Sequence, residues 1–263
     1  MSVEAKLRAR ARELLEKKEV AAVLGYRAGT RAEVAVPVLI SEPGQAETLV
    51  LNGYCLQNLA TYLPKLRRAG RIAVVATHAT SRSIVNLLKE RQVERDKLFV
   101  LGVPSGELRP VIVDEMFDEV PGLSAKSDDA DSAFEARSPQ ERWDILSAEL
   151  SRCIRCYACR AACPNCYCPT CFVDASRPRR VGRTNDLSDN VIFHLMRAMH
   201  MAGRCVECGA CARACPMEID LARINRKVSR IVRERFGAES GMSLDDPLPL
   251  AAFDTEDKQE FIR

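Results

Sequence analysis

The position of its cysteines constrains this chain most. Of twelve in 263 residues, eleven lie between Cys153 and Cys215. The chain opens Met1-Ser2-Val3-Glu4-Ala5-Lys6, without an apolar signal core, so a cytoplasmic location is expected. Thiol buffers there keep cysteines reduced, so such a cluster points to metal and not to disulfides. Two runs share one form: Cys153-x2-Cys156-x2-Cys159-x3-Cys163-Pro164 and Cys205-x2-Cys208-x2-Cys211-x3-Cys215-Pro216.

This is the bacterial ferredoxin spacing. Three thiolates on one compact turn grip three irons of a cubane. The fourth begins a helix, points away and ligates the other cluster in two-cluster proteins. One [4Fe-4S] cluster is therefore expected on Cys153, Cys156, Cys159 and Cys215, and a second on Cys205, Cys208, Cys211 and Cys163. Structural zinc fits less well, because zinc sites usually separate two C-x2-C pairs by a longer loop.

Between the runs lie 41 residues, a long spacer. Ile192, Leu195, Met196 and Met199 recur at helical spacing, so a helix is expected over Asp189–Ala202, capped by Gly203 and packed between the cluster turns. His194 and His200 suit packing or hydrogen bonding near a cluster, and Met196, Met199 and Met201 read as core. From Ser151 to Phe236 the chain resembles the α-helical ferredoxin domain of heterodisulfide reductase C-type subunits and of the succinate dehydrogenase iron–sulfur subunit. The phrase His200-Met201-Ala202-Gly203-Arg204-Cys205-Val206-Glu207-Cys208-Gly209-Ala210-Cys211 carries that resemblance.

Cys166, Cys168 and Cys171 remain, with the lone Cys55. Four cysteines suffice for a third [4Fe-4S] cluster or a zinc ion, and no metal at all is the third alternative. The lead-in Asn52-Gly53-Tyr54 puts Cys55 at a turn before a helix, where a thiolate is stabilised. Charge agrees with anionic clusters: residues 151–240 hold 16 Lys and Arg against 8 Asp and Glu, whereas the whole chain is only +3. A basic surround favours the reduced cluster. A solvated face is the plain alternative for the helix expected over Leu221–Phe236, which has Leu221, Ile224, Val228, Ile231 and Val232 on one side.

The front half reads as α/β. A first helix spans Val3–Lys18, and extended runs follow at Val20–Leu24, Val34–Ile40 and Thr48–Leu51. Cys55–Leu66 has helical spacing, with Pro64 expected to kink or end it. Ile72–Ala76, Ser81–Arg91 and Leu98–Val103 then read strand, helix, strand, a parallel unit. No G-x-G-x-x-G follows any strand. Residues 71–103 are similar to beta subunits of deazaflavin-reducing hydrogenases and formate dehydrogenases, and to iron–sulfur proteins of heterodisulfide-reductase-like complexes. In that group a cysteine precedes the Ser-Arg phrase and more follow the second strand. Here Thr77-His78-Ala79-Thr80 and Pro104-Ser105-Gly106-Glu107 stand there, which withdraws the residues of an N-terminal cluster and weakens inheritance of a flavin or deazaflavin site.

The expected organisation is an α/β domain over 1–122, a polar linker over 123–137, an α-helical ferredoxin domain over 138–238 and an extended tail over 239–263. Ser138-Pro139-Gln140-Glu141 forms a capping box for a helix to about Ser151, with Trp143 as its core anchor. No hydrolase triad, P-loop or zinc-peptidase motif is present, and three histidines leave few acid–base candidates. Near-balanced charge argues against nucleic-acid binding, and no apolar run is long enough for a transmembrane segment. The expected function is an iron–sulfur electron-transfer subunit without activity alone. Its partners would be other subunits of a redox complex of anaerobic metabolism: flavoprotein, heterodisulfide-reductase-like, hydrogenase or formate dehydrogenase subunits. The alternative is a flavin- or deazaflavin-binding subunit exchanging hydride for single electrons.

Overall fold

The computed structural model describes residues 1–123, 129–179, 181–182 and 184–249. Its first unit is built on a six-stranded sheet: β1 (Ala22–Ala28), β2 (Ala35–Ile40), β3 (Leu49–Val50), β4 (Ile72–Ala76), β5 (Leu98–Gly102) and β6 (Glu115–Met116). The order is β2-β1-β4-β5-β6, with β3 also pairing β1. The β1–β2 and β1–β3 pairs are antiparallel, and the β1–β4, β4–β5 and β5–β6 pairs are parallel. Every residue of β4 is buried, as a continuous apolar run in a parallel sheet requires. Helix α1 (Val3–Glu16) buries Leu7, Ala11, Leu14 and Leu15, and Ser2 caps it through a bond accepted from the Ala5 amide.

The stretch around Pro64 folds differently from the single helix its periodicity suggests. Cys55–Asn58 is not helical. Asn58 accepts from the Ala60 amide and starts a 3-10 turn, Leu59–Tyr62, that leads into the short helix α2 (Leu63–Leu66). Pro64 therefore stands at the start of a helix, where its missing N–H costs nothing. Helix α3 (His78–Lys89) follows β4, N-capped by Thr77. It is buried on two sides. Ile84 and Leu87 belong to the sheet core. The Arg82 and Asn86 side chains point into the second unit: Arg82 Nε donates to the Ser240 carbonyl, and Asn86 Nδ2 donates to the Arg204 carbonyl.

That second unit is helical, apart from an isolated bridge between Ser176 and Arg179, among the described residues. It holds α4 (Asp129–Glu135), α5 (Pro139–Ser151), α6 (Ala158–Ala161), α7 (Leu187–His200), α8 (Ala210–Arg213) and α9 (Leu221–Phe236). Residues 129–135 are thus a helix and not part of a polar linker. Asp131 pairs with Arg226, and Glu135 with Lys227 and Arg230, so its acids meet the basic face of α9. The Ser138 capping box forms in full. Trp143 does not anchor the core, being 45% exposed; Leu150 is the residue that α5 buries.

Helix α7 runs Leu187–His200, capped by Asp186, and Gly203 takes its left-handed φ in the turn beyond. Its orientation inverts the expected one. Ile192, Leu195, Met196 and Met199 are exposed, whereas Asn190, Phe193, His194, Arg197 and Ala198 are buried. Of the three methionines read as core, Met201 alone is buried. The tail is also partly seated: Ser240 and Ser243 accept from α3, and Gly241 lies so close to the Arg82 carbonyl that a Cβ would not fit. Residues 250–263 of the expected tail lie outside the described residues. No helix among the described residues is long and apolar enough to cross a membrane.

The two units are locked by Arg204, which makes a bidentate pair with Glu90 and also donates to Tyr167 Oη. The Glu90 side chain is 9% exposed, so losing its partner strands a carboxylate. Arg204→Leu is expected to cost about 2 kcal/mol, below the fully buried range because Arg204 is partly solvated. Chemical denaturation of the full chain would measure it, and a change under ~0.5 kcal/mol would show that the pair is idle.

Candidate metal centres

Each cysteine run folds into the same turn. Arg155 and Tyr157 in the first run and Glu207 and Gly209 in the second all have positive φ, near 50° to 70°. These left-handed steps bring three cysteines round one point, and a four-residue helix, α6 or α8, follows directly. The Arg155 amide donates to Cys153 Sγ at 3.4 Å, and the Glu207 amide to Cys205 Sγ at 3.4 Å. Such N–H···S bonds favour a sulfur carrying negative charge.

The sulfurs then gather crosswise. One small cavity is lined by Cys153, Cys156, Cys159 and Cys215. Another is lined by Cys205, Cys208, Cys211 and Cys163. The two lie side by side. The thiols of Cys159 and Cys211 are both pushed up to about 11 by burial, and Cys211 is near enough to Cys159 to add to that rise. The Cys153 thiol is raised by burial first, then by Cys215 and Cys156. Burial likewise raises Cys205 and Cys208. Buried thiols this reluctant to ionise become thiolates when a metal supplies the compensating charge. Among the described residues no three of His, Cys, Asp and Glu stand close enough to hold a single metal ion.

His194 stands beside a cysteine turn, as its sequence position suggests, but the other polar groups around these sulfurs were not legible from apolar periodicity. His194 Nε2 sits 3.2 Å from Cys153 Sγ; burial, then Arg197, pushes its pKa down to about 4. Asn190 Nδ2 donates to the carbonyls of Leu150 and Cys153 at 3.0 Å. Asn225 Nδ2 lies 3.6 Å from Cys211 Sγ. Arg197, 5% exposed, donates to the Cys159 carbonyl at 3.1 Å and is surrounded by Cys163, Cys166, Cys159 and Cys211. The signal was a second helical stripe, Asn190-His194-Arg197, in polar residues.

Cys55 is 1% exposed and belongs to the sheet core. Its thiol is pushed up to about 11 by burial, so this turn disfavours the thiolate that its sequence context suggests. It bonds within its own turn, to the Asn52 amide and the Val50 carbonyl. Cys166, Cys168 and Cys171 line one cavity of about 480 Å³, whose wall does not include Cys55. His200 lines it too and meets Phe172 edge-on at 5.3 Å.

Gly209 tests the turn geometry. At its φ of 70° a side chain is strained, and a Cβ would also press on the Arg213 guanidinium. Gly209→Ala is expected to destabilise the chain by about 1–2 kcal/mol. Thermal unfolding would detect it, and an unchanged midpoint would contradict the strained turn.

Comparison with known proteins agrees with this chemistry. Residues 149–219 match a family model described as a 4Fe-4S dicluster domain. The F420-dependent formate dehydrogenase subunit beta of Methanocaldococcus jannaschii is 35% identical over 99 residues, 38% of this chain and 25% of the relative. The F420-dependent formate dehydrogenase 1 subunit beta of Methanococcus maripaludis is 38% identical over 111 residues, 42% of this chain and 27% of the relative. The chain thus spans about a quarter of the length of these curated relatives. Residues 149–219 thus match a 4Fe-4S dicluster domain, and over 38–42% of its length the chain is homologous to part of formate dehydrogenase beta subunits.

Proposed function

We propose that the chain is an electron-transfer subunit of a multi-subunit oxidoreductase of the formate dehydrogenase type. It would relay electrons through two [4Fe-4S] clusters. The observation that carries this is the crosswise gathering of eight cysteines round two adjacent cavities. Cys153, Cys156, Cys159 and Cys215 would hold one cluster, and Cys205, Cys208, Cys211 and Cys163 the other. When bound, the clusters supply one-electron chemistry at a potential set by net charge and by hydrogen bonds to sulfur. The protein's part is to exclude water, donate to the sulfurs and place cations beside them.

The helical arrangement after residue 129 supports reading this unit as an α-helical ferredoxin, and the long spacer with α7 between the runs is its main support. Kinship with heterodisulfide reductase and hydrogenase subunits belongs to the same proposal. So does the cytoplasmic location. The second reading, a flavin or deazaflavin site in the α/β unit, draws support from the F420 dependence that the relatives' names carry.

Two outcomes test the relay. Dithionite reduction of the anaerobically purified chain is expected to give EPR signals of two interacting cubanes, and one uncoupled cubane would sink the crosswise scheme. In the whole complex, Cys208→Ser is expected to abolish turnover while partner binding survives. Unimpaired turnover with that cluster missing would rule out a relay through it.

His194 gives a finer test. With its proton on Nε2, His194 would donate to Cys153 Sγ and stabilise the more negative, reduced state of the cluster that Cys153 would hold. His194→Leu is expected to lower that cluster's potential by roughly 50 mV, about one hydrogen bond's worth of 1 kcal/mol, and leave the other unchanged. Equal shifts of both, or none, would contradict this assignment.

A further inference from the structure

We propose a third iron–sulfur cluster, held by Cys166, Cys168 and Cys171 alone, with its fourth iron open to the cavity these cysteines line. Three observations carry it. The first is convergence: the only three cysteines of the spacer, in a C-x-C-x2-C run, share the wall of one cavity of about 480 Å³. Three thiolates within six residues suffice to hold three irons of a cubane.

The second is unspent polarity. Asn165 and Arg197 also line the cavity, at 2% and 5% exposure. Asn165 Oδ1 and Arg197 Nε have no hydrogen-bond partner. Buried polar atoms without partners are rare; the unspent Arg197 Nε–H is a donor that an anionic group could accept from, whereas the Asn165 oxygen, an acceptor, could serve only a cation such as the open iron. Arg160 and Arg204 stand on the same wall, and Arg204 alone has a carboxylate there, Glu90. Arg160 pairs with Asp174. Arg197 is thus the one guanidinium of this wall without a carboxylate partner among the described residues, and it suits an anionic cluster.

The third is size and place. The cavity is far larger than the two lined by the ferredoxin-type runs, so a cubane at its cysteine end leaves room for a small ligand on the open iron. It shares Phe193 with the first of those cavities and Asn165, Arg197 and Met201 with the second. A cluster here would therefore border both. Cys55 is excluded as its fourth ligand by its place in the sheet core.

The proposal goes beyond the two-cluster reading, and metal counting separates the two. The full chain, reconstituted anaerobically with iron and sulfide, is expected to hold about twelve irons, four per cubane. The triple variant Cys166→Ser, Cys168→Ser, Cys171→Ser is expected to hold about eight irons and to keep the two-cluster EPR signal. Cys168→Ser alone, at an exposed position, guards against misfolding and is expected to lose up to four irons; Cys55→Ser is expected to lose none. About eight irons in the unaltered chain, with or without one zinc, would overturn the third cluster and leave the other two standing. An iron content that the triple variant does not change would overturn it equally. About four irons in the unaltered chain would overturn both readings.

Discussion

One buried guanidinium organises the helical unit. Arg197 enters from α7 and stands among sulfurs drawn from both runs, and it also borders the spacer cysteines. Burying a cation is costly unless anions surround it. Here the anions would be the thiolates of bound clusters, whose own burial is costly in turn. Neither set is stable without the other. The arrangement ties α7 to both cysteine turns more firmly than apolar packing would, because a displaced Arg197 would strand charge on both sides.

This explains where the sequence was readable and where it misled. Local rules held where they rest on backbone chemistry: the capping box at Ser138, the buried strand β4 and the left-handed residue at Gly203 all follow from hydrogen bonding or sterics within a few residues. Apolar periodicity failed on α7, because it assumes that the buried face meets hydrocarbon. The buried face of α7 meets sulfurs, so it carries Asn190, His194 and Arg197, and the apolar stripe is left outside. Trp143 failed for a related reason, since α5 turns Leu150, not its aromatic, toward the core. The acids at Asp131 and Glu135 looked like linker because their partners lie some ninety residues away on α9, beyond any local pattern.

The α/β unit contributes more than a neighbouring fold. Helix α3 is apolar toward the sheet and polar toward the cysteine turns, so one element satisfies two cores. Asn86 and Glu90 on it, with Thr61 nearby, reach the backbone and Arg204 of the second unit. Arg213 reaches back to the Leu56 carbonyl. The cysteine turn of the second run is thus braced from both sides, which limits the movement its sulfurs would make when an electron arrives.

The crosswise gathering has a consequence for the order of events during synthesis. Cys215 leaves the ribosome 52 residues after Cys163. At about 5–20 residues per second that is roughly 3–10 s in which the first turn exists with three sulfurs and no fourth. Nothing the first run contains can complete its own set. The spacer, with α7 and its guanidinium, emerges in that interval and must fold before either set closes. Maturation is therefore late for both: the second set would close once Cys211 has emerged and the first only at Cys215, so a chain cut short before Cys211 would finish neither centre.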